Sequence, residues 1–158
     1  MKLYLVRHGK AEDQPDETGE RPLSERGRAD IAAQATFLKN AGLTVAQVFH
    51  SGKLRAHQTA EIIAAEIAPD APMEPMQYLT PMDGTDHLAL SVENWADSNL
   101  DTMVSGHNPF MEAMAARLLC GDHEENAVIV KTGTVMCFER YAPGLWRMDW
   151  MVIPKLTR

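Results

Sequence analysis

The feature that most constrains this 158-residue sequence is an alternation of short β-prone runs with segments of helical period, kept up to residue 120. Residues 2–6 are apolar and β-prone and predict a first strand. Ser24 has the chemistry of a helix N-cap, with Glu25 in the first turn. Ile31, Ala32, Ala35 and Leu38 then keep helical spacing on one face, and Gly42 is expected to end that helix. Residues 45–50 predict a second strand and residues 54–67 a helix closed by Pro69. Pro72, Pro75 and Pro81 break up the next stretch, in which one short strand is expected at 76–79. Residues 86–98 are helical in pattern and residues 101–105 extended, and Asn108 is expected to cap a helix over 109–119 with proline at its first position. Such alternation implies a three-layer α/β/α fold on a largely parallel central sheet. Three further runs, 127–131, 135–141 and 145–152, are expected to add antiparallel strands near the C-terminus. The length suits one domain, residues 1–158, with a core of its own.

Three polar groups fall at the C-terminal ends of the expected parallel strands: Arg7-His8-Gly9, Ser51 to Arg55, and Gly106-His107-Asn108. That rim is where an open α/β sheet binds its ligands, so residues distant in the chain can converge there. The chemistry that uses two arginines with two histidines is phosphoryl transfer. A guanidinium is a permanently charged planar fork that matches phosphate oxygens. A neutral imidazole is a nitrogen nucleophile at pH 7, and a second, protonated one can donate to a phosphoryl oxygen. Gly9 would let the backbone approach the ligand, and helices starting after Ser51 and at Asn108 would turn positive ends to the anion. Arginines already supply the charge stabilisation, so no metal or other cofactor is expected.

These blocks carry a resemblance. Arg7-His8-Gly9 after an N-terminal strand resembles the signature of the histidine phosphatase superfamily, which includes phosphoglycerate mutases and acid phosphatases. The run 51–60, SGKLRAHQTA, resembles its second block, S-x-x-x-R-A-x-Q-T, and Val104-Ser105-Gly106-His107-Asn108-Pro109 resembles its third. Within the superfamily, the short chain, Arg21-Pro22-Leu23-Ser24 and Leu79-Thr80-Pro81 are most similar to the phosphohistidine phosphatase SixA branch. The resemblance implies a phosphoglycerate mutase-like fold without a large cap insertion. It implies a metal-independent hydrolase in which His8 is phosphorylated, Arg7 and Arg55 clamp the phosphoryl oxygens and His107 is the second histidine of the phosphate pocket. Gly9 and Arg21 join the expected phosphate-binding set.

The departures from the family pattern are also informative. Mutase-like branches continue the first block with a serine and an asparagine where this chain has Ala11 and Gln14, and they carry a glutamate near the position of Leu79-Thr80-Pro81. The usual general acid is therefore missing, and Glu12, Asp83 and Asp86 are the remaining candidates. An alkoxide leaving group needs such an acid. An imidazole protonated on its distal nitrogen leaves neutral and does not. The expected substrate is accordingly a phosphohistidine on a signalling or phosphotransfer protein. Two further readings stay open: a broad small-molecule phosphomonoesterase, and a non-catalytic module that binds a phosphorylated ligand.

The net charge of −7 argues against general nucleic-acid or anionic-membrane binding. No apolar run is long enough for a bilayer span or a signal peptide. Two cysteines make no disulfide framework, and a reducing cytoplasm is the expected location. A monomer or weak homodimer is expected. His50, His57, His87 and His123 lack metal-ligand spacing, and Cys120 and Cys137 form no C-x-x-C pair. Neither cysteine has an arginine six residues on, no phosphate-binding P-loop or G-x-G-x-x-G is present, and Ser105 lacks the G-x-S-x-G setting.

Overall fold

A computed structural model describes residues 1–121 and 127–158; His123 lies outside the described residues. Six strands form one sheet in the order β3-β2-β4-β1-β5-β6. In chain order they are β1 (Lys2–Arg7), β2 (Gln47–His50), β3 (Met73–Pro75), β4 (Thr102–Gly106), β5 (Val135–Ala142) and β6 (Leu145–Val152). Among the described residues four α-helices accompany them, α1 (Glu25–Asn40), α2 (Leu54–Ile67), α3 (Asp86–Asp97) and α4 (Phe110–Cys120), with a short 3₁₀ turn at Pro154–Leu156. The pairs β1·β4, β2·β4 and β2·β3 are parallel, while β1·β5 and β5·β6 are antiparallel. The architecture is therefore the expected α/β one, mixed but mostly parallel, with antiparallel strands at the C-terminal end.

The alternation along β1 builds both cores. Tyr4 and Val6 face Ile31, Ala35 and Leu38 of α1 and Ala60 and Ile63 of α2. Leu3 and Leu5 face Leu88 and Val92 of α3 and Phe110, Met111 and Met114 of α4. A strand apolar on both sides is what helices on both faces require. Ser24 caps α1, its hydroxyl accepting from the Gly27 amide at 3.1 Å. Gly27 is demanded by closeness, because a Cβ there would lie 2.0 Å from the Lys10 carbonyl oxygen. Helix α1 thus rests directly on the backbone that follows His8.

Three local expectations are corrected. The short edge strand lies at Met73–Pro75, not at 76–79. Tyr78 has φ 60°, outside strand geometry, and Leu79 is buried in the core. Proline is tolerated at Pro75 because an edge strand leaves one side unpaired. Residues 127–131 form no strand. Val130 is instead held singly, its amide donating to Glu112 Oε1 at 2.9 Å. Asn108 does not cap α4: Pro109 occupies that position without a side-chain bond, and Asn108 Nδ2 donates to the Val130 carbonyl at 2.9 Å.

Residues 9–22 are fastened at both ends. A bridge pairs Ala11 with Leu23, and the Leu23 amide donates to Gln58 Oε1 at 2.8 Å. Between them the Asp16 carboxylate accepts from the amides of Thr18 and Glu20 and closes a turn.

Candidate active site

Sheet register brings the three sequence blocks together. Arg7 is opposite Gly106 in β1·β4, and His50 is opposite Ser105 in β2·β4. The His8 amide donates to the Gly106 carbonyl at 2.9 Å, and the Ser51 amide to the Ser105 carbonyl at 3.2 Å. His8, His107 and Ser51 therefore leave three neighbouring parallel strands at the same end, and the rings of His8 and His107 lie 5.0 Å apart.

His8 Nδ1 is 2.7 Å from the Gly9 carbonyl oxygen. A carbonyl only accepts, so Nδ1 carries the proton and Nε2 keeps its lone pair. Arg55, in the first turn of α2, donates from Nε to that Nε2 at 3.3 Å. Burial holds the His8 pKa down to about 4, against the pull of the Gly9 carbonyl, and the charges of Arg55, Arg7 and Arg21 lower it further. The ring is neutral at pH 7 and its free nitrogen faces a guanidinium.

His107 is buried, and Ser51 Oγ sits 2.6 Å from its Nε2. Nδ1 has no partner. Burial, then His8, Arg55, Lys53 and Arg7, depress its pKa to about 3. Four like charges or potential charges surround it, so the ring is neutral in this state.

Arg7 Nη1 donates to the Val130 carbonyl at 2.6 Å, so the carbonyl that holds Asn108 also aims Arg7. Burial lowers the Arg7 pKa, with Glu112 acting in the opposite direction. Burial and Arg21 likewise lower that of Arg55, with Glu20 opposing. Arg21 itself is exposed and donates from Nε to the Glu12 carbonyl at 2.6 Å. It fastens its own loop, and its charge still reaches His8 and Arg55. The Gly9 amide is taken by Thr59 Oγ1 at 3.0 Å, and a Cβ at this position would lie 2.7 Å from Ile31 Cγ1. The close approach that requires glycine at 9 is thus to α1.

The acid candidates separate. Asp83 accepts from both the amide and the hydroxyl of Thr80 at 2.7 Å, which holds its pKa below the usual carboxylate range. Asp86 pairs with Arg117. Glu12 lies on the exposed part of the 9–22 loop.

Several supporting residues had no role assigned from sequence. Thr59 links Arg55 to Gly9, accepting from the Gly9 amide and donating to the Arg55 carbonyl at 2.7 Å. Gln58 holds Leu23, Ser51 orients His107, and Glu112 fixes Val130. Ser51, Gln58 and Thr59 are letters of the S-x-x-x-R-A-x-Q-T pattern, which was the available signal.

Burial lowers the pKa of His50 as well, with His57 adding to it, but His8 and His107 are shifted furthest, and these depressed histidines make stability depend on pH. The unfolded value is 6.5, and the folded values of His8 and His107 are about 4 and about 3. As pH falls below 6.5 the unfolded chain binds protons that the folded chain refuses, so stability is full above 6.5 and declines towards pH 4. This window lies above the range where Asp30 and Asp83, both depressed from 3.8, titrate. The urea midpoint is expected to fall steadily from pH 6.5 to pH 4, and His8→Asn to reduce that slope. A flat profile would show that neither ring is kept neutral.

The sequence profile of the histidine phosphatase superfamily (branch 1) matches residues 3–101. An uncharacterized protein of Picosynechococcus sp. is 32% identical over 139 residues, covering 85% of this chain and 83% of that one. Among solved structures, the protein histidine phosphatase SixA complexed with tungstate superposes with a TM-score of 0.90 at 22% identity, over 100% of both chains. The alpha-ribazole phosphatase from Shigella flexneri gives 0.73 at 15% identity, over 98% of this chain and 97% of its own.

Proposed function

The chain belongs to the histidine phosphatase superfamily, and from that premise we propose that it is a phosphohistidine phosphatase acting through a phosphorylated His8. One observation carries the reading: His8 Nδ1 is tied to the Gly9 carbonyl, which leaves a neutral Nε2 facing the Arg55 guanidinium. Binding alone does not need such a nitrogen; nucleophilic attack does.

In the first step His8 Nε2 forms a bond to phosphorus while the substrate's P–N bond breaks. The departing imidazole takes the bonding pair and leaves neutral, because its distal nitrogen is already protonated. In the second step a water oxygen bonds to phosphorus, the Nε2–P bond breaks, and the proton of the water goes to the released phosphate. Arg7 and Arg55 hold the non-bridging oxygens, and Arg55 moves from His8 Nε2 to the anion as it binds. His107, its field now offset by the phosphoryl charge, donates to one oxygen.

The fate of the acid candidates supports the leaving-group argument. Asp83 is held ionised by Thr80 and Asp86 is paired with Arg117, so neither is ready to give a proton. A leaving group that needs none fits best. A cleft of about 500 Å³ beside Ser51, lined by Met76, Tyr78 and Thr80, adjoins the site and suits a peptide segment. The reading takes residues 1–158 as one catalytic domain, and its two free thiols fit a reducing cytoplasm.

The test compares a phosphohistidine peptide with p-nitrophenyl phosphate in the presence of EDTA. Release of phosphate from the peptide with the larger kcat/KM is the expected result. Preference for the ester would give the molecule to the phosphomonoesterase class. Turnover of neither would reduce it to a binding module.

A further inference from the structure

On a chain of net charge −7, one cleft concentrates positive charge. It has a volume of about 370 Å³, and its walls carry Lys10, Arg26, Lys131, Lys155 and Arg158 against one acidic side chain, Asp30. Asp30 is already bidentate with Arg158, at 2.8 and 3.0 Å, and sits 3.8 Å from Arg26. The ammonium groups of Lys10, Lys131 and Lys155 are exposed and have no ion-pair partner among the described residues. These cations come from separate parts of the chain: the segment after β1, helix α1, the turn before β5 and the C-terminal turn. The fold has gathered them.

The cleft also borders the catalytic cluster. Lys10 is two residues beyond His8, so their Cα atoms are at most about 7.6 Å apart. Lys131 follows Val130, whose carbonyl holds Arg7. The type of cation identifies the ligand. Separate ammonium groups are point charges without the fork that grips one tetrahedral anion. Spread around a cleft, they suit several carboxylates at once. Thr132, Ile153 and Pro154 complete the lining and offer no aromatic face for a nucleic-acid base.

We propose that this cleft docks the acidic flank of the phosphorylated segment, so that the enzyme selects phosphohistidine set among Asp and Glu residues. The proposal rests on the phosphohistidine reading above and adds the charge character of the partner. Attraction of this kind acts chiefly on the encounter rate and is screened by salt.

The test uses two synthetic phosphohistidine peptides of equal length, one flanked by glutamates and one by lysines. At about 20 mM salt the wild-type protein is expected to favour the Glu-flanked peptide by about tenfold in kcat/KM, and to lose the preference near 0.5 M. Lys131→Glu with Lys155→Glu should reverse the preference, Lys131→Gln with Lys155→Gln should weaken it, and neither pair should change turnover of p-nitrophenyl phosphate. Equal use of the two peptides at low salt, or a preference that survives both double variants, would overturn the proposal. Fluorescence anisotropy with the unphosphorylated Glu-flanked peptide separates the two ideas. Binding to wild type but not to the Glu double variant, with no peptide hydrolysed, would keep the docking cleft and remove the phosphatase reading. Hydrolysis without binding or preference would do the opposite. Tighter binding of an oligothymidylate of equal charge would replace the acidic peptide with nucleic acid.

Discussion

Replacing His8 with alanine is expected to lower turnover by at least about 10⁴-fold, for every substrate the protein accepts. The side chain removed is the atom to which phosphorus bonds, and no second group is placed to take over. His107 is the nearest alternative, 5.0 Å away ring to ring, but its Nε2 is engaged by Ser51 and its Nδ1 is buried. A quench experiment reads the same event directly. Wild-type protein mixed with labelled substrate should hold label that is stable in alkali and lost in acid, as a phosphoramidate is, and His8→Ala should hold none. His107→Ala should lose rate and still acquire label. Label or turnover surviving in His8→Ala would refute the mechanism.

The second large effect concerns Arg55. Its removal to alanine is expected to cost about 10³-fold in kcat/KM, as for a donor aimed at developing charge in a protected site. Arg55→Lys should recover only part of this, because an ammonium cannot reproduce the planar fork. A second readout distinguishes this role from simple loss of packing. Arg55 donates to His8 Nε2, and its charge helps to lower the His8 pKa from 6.5 to about 4. Without it the His8 pKa rises, so the acid limb of the kcat/KM profile should move to higher pH in Arg55→Ala. An unmoved limb would mean that Arg55 does not act on His8.

Where the sequence was legible, the information was local. Residues 54–67 were expected as a helix and form α2 with the same bounds, because apolar spacing and the proline beyond its end both act within the segment. The convergence of Arg7, His8, Arg55 and His107 was legible because strand ends in a parallel sheet share one rim. Residues 127–131 misled for the opposite reason. Their valines alternate like a strand, but Glu112 holds the amide of Val130, and Arg7 and Asn108 occupy its carbonyl. Those three partners lie far away in the chain, and no local pattern announces them. The edge strand expected at 76–79 lies at Met73–Pro75, where Met73 pairs with Val48 and Pro75 with His50 of β2, and Leu79 is buried in the core beyond it. Gly9 was expected to bring the backbone close to a ligand, whereas the neighbour that a Cβ there would strike is Ile31.

The orphaned atoms at the head of the sheet have a practical consequence. Arg7 Nε, His107 Nδ1 and Asn108 Oδ1 are all buried without partners, and polar atoms left in that condition destabilise the fold that contains them. A tetrahedral anion that draws the arginines together relieves part of that burden, and it does so only in the folded chain. Melting temperature is then partly a property of the buffer: it should climb with phosphate, vanadate or tungstate and stay put with chloride. Two laboratories using different salts would report different stabilities for one and the same protein, and both would be right.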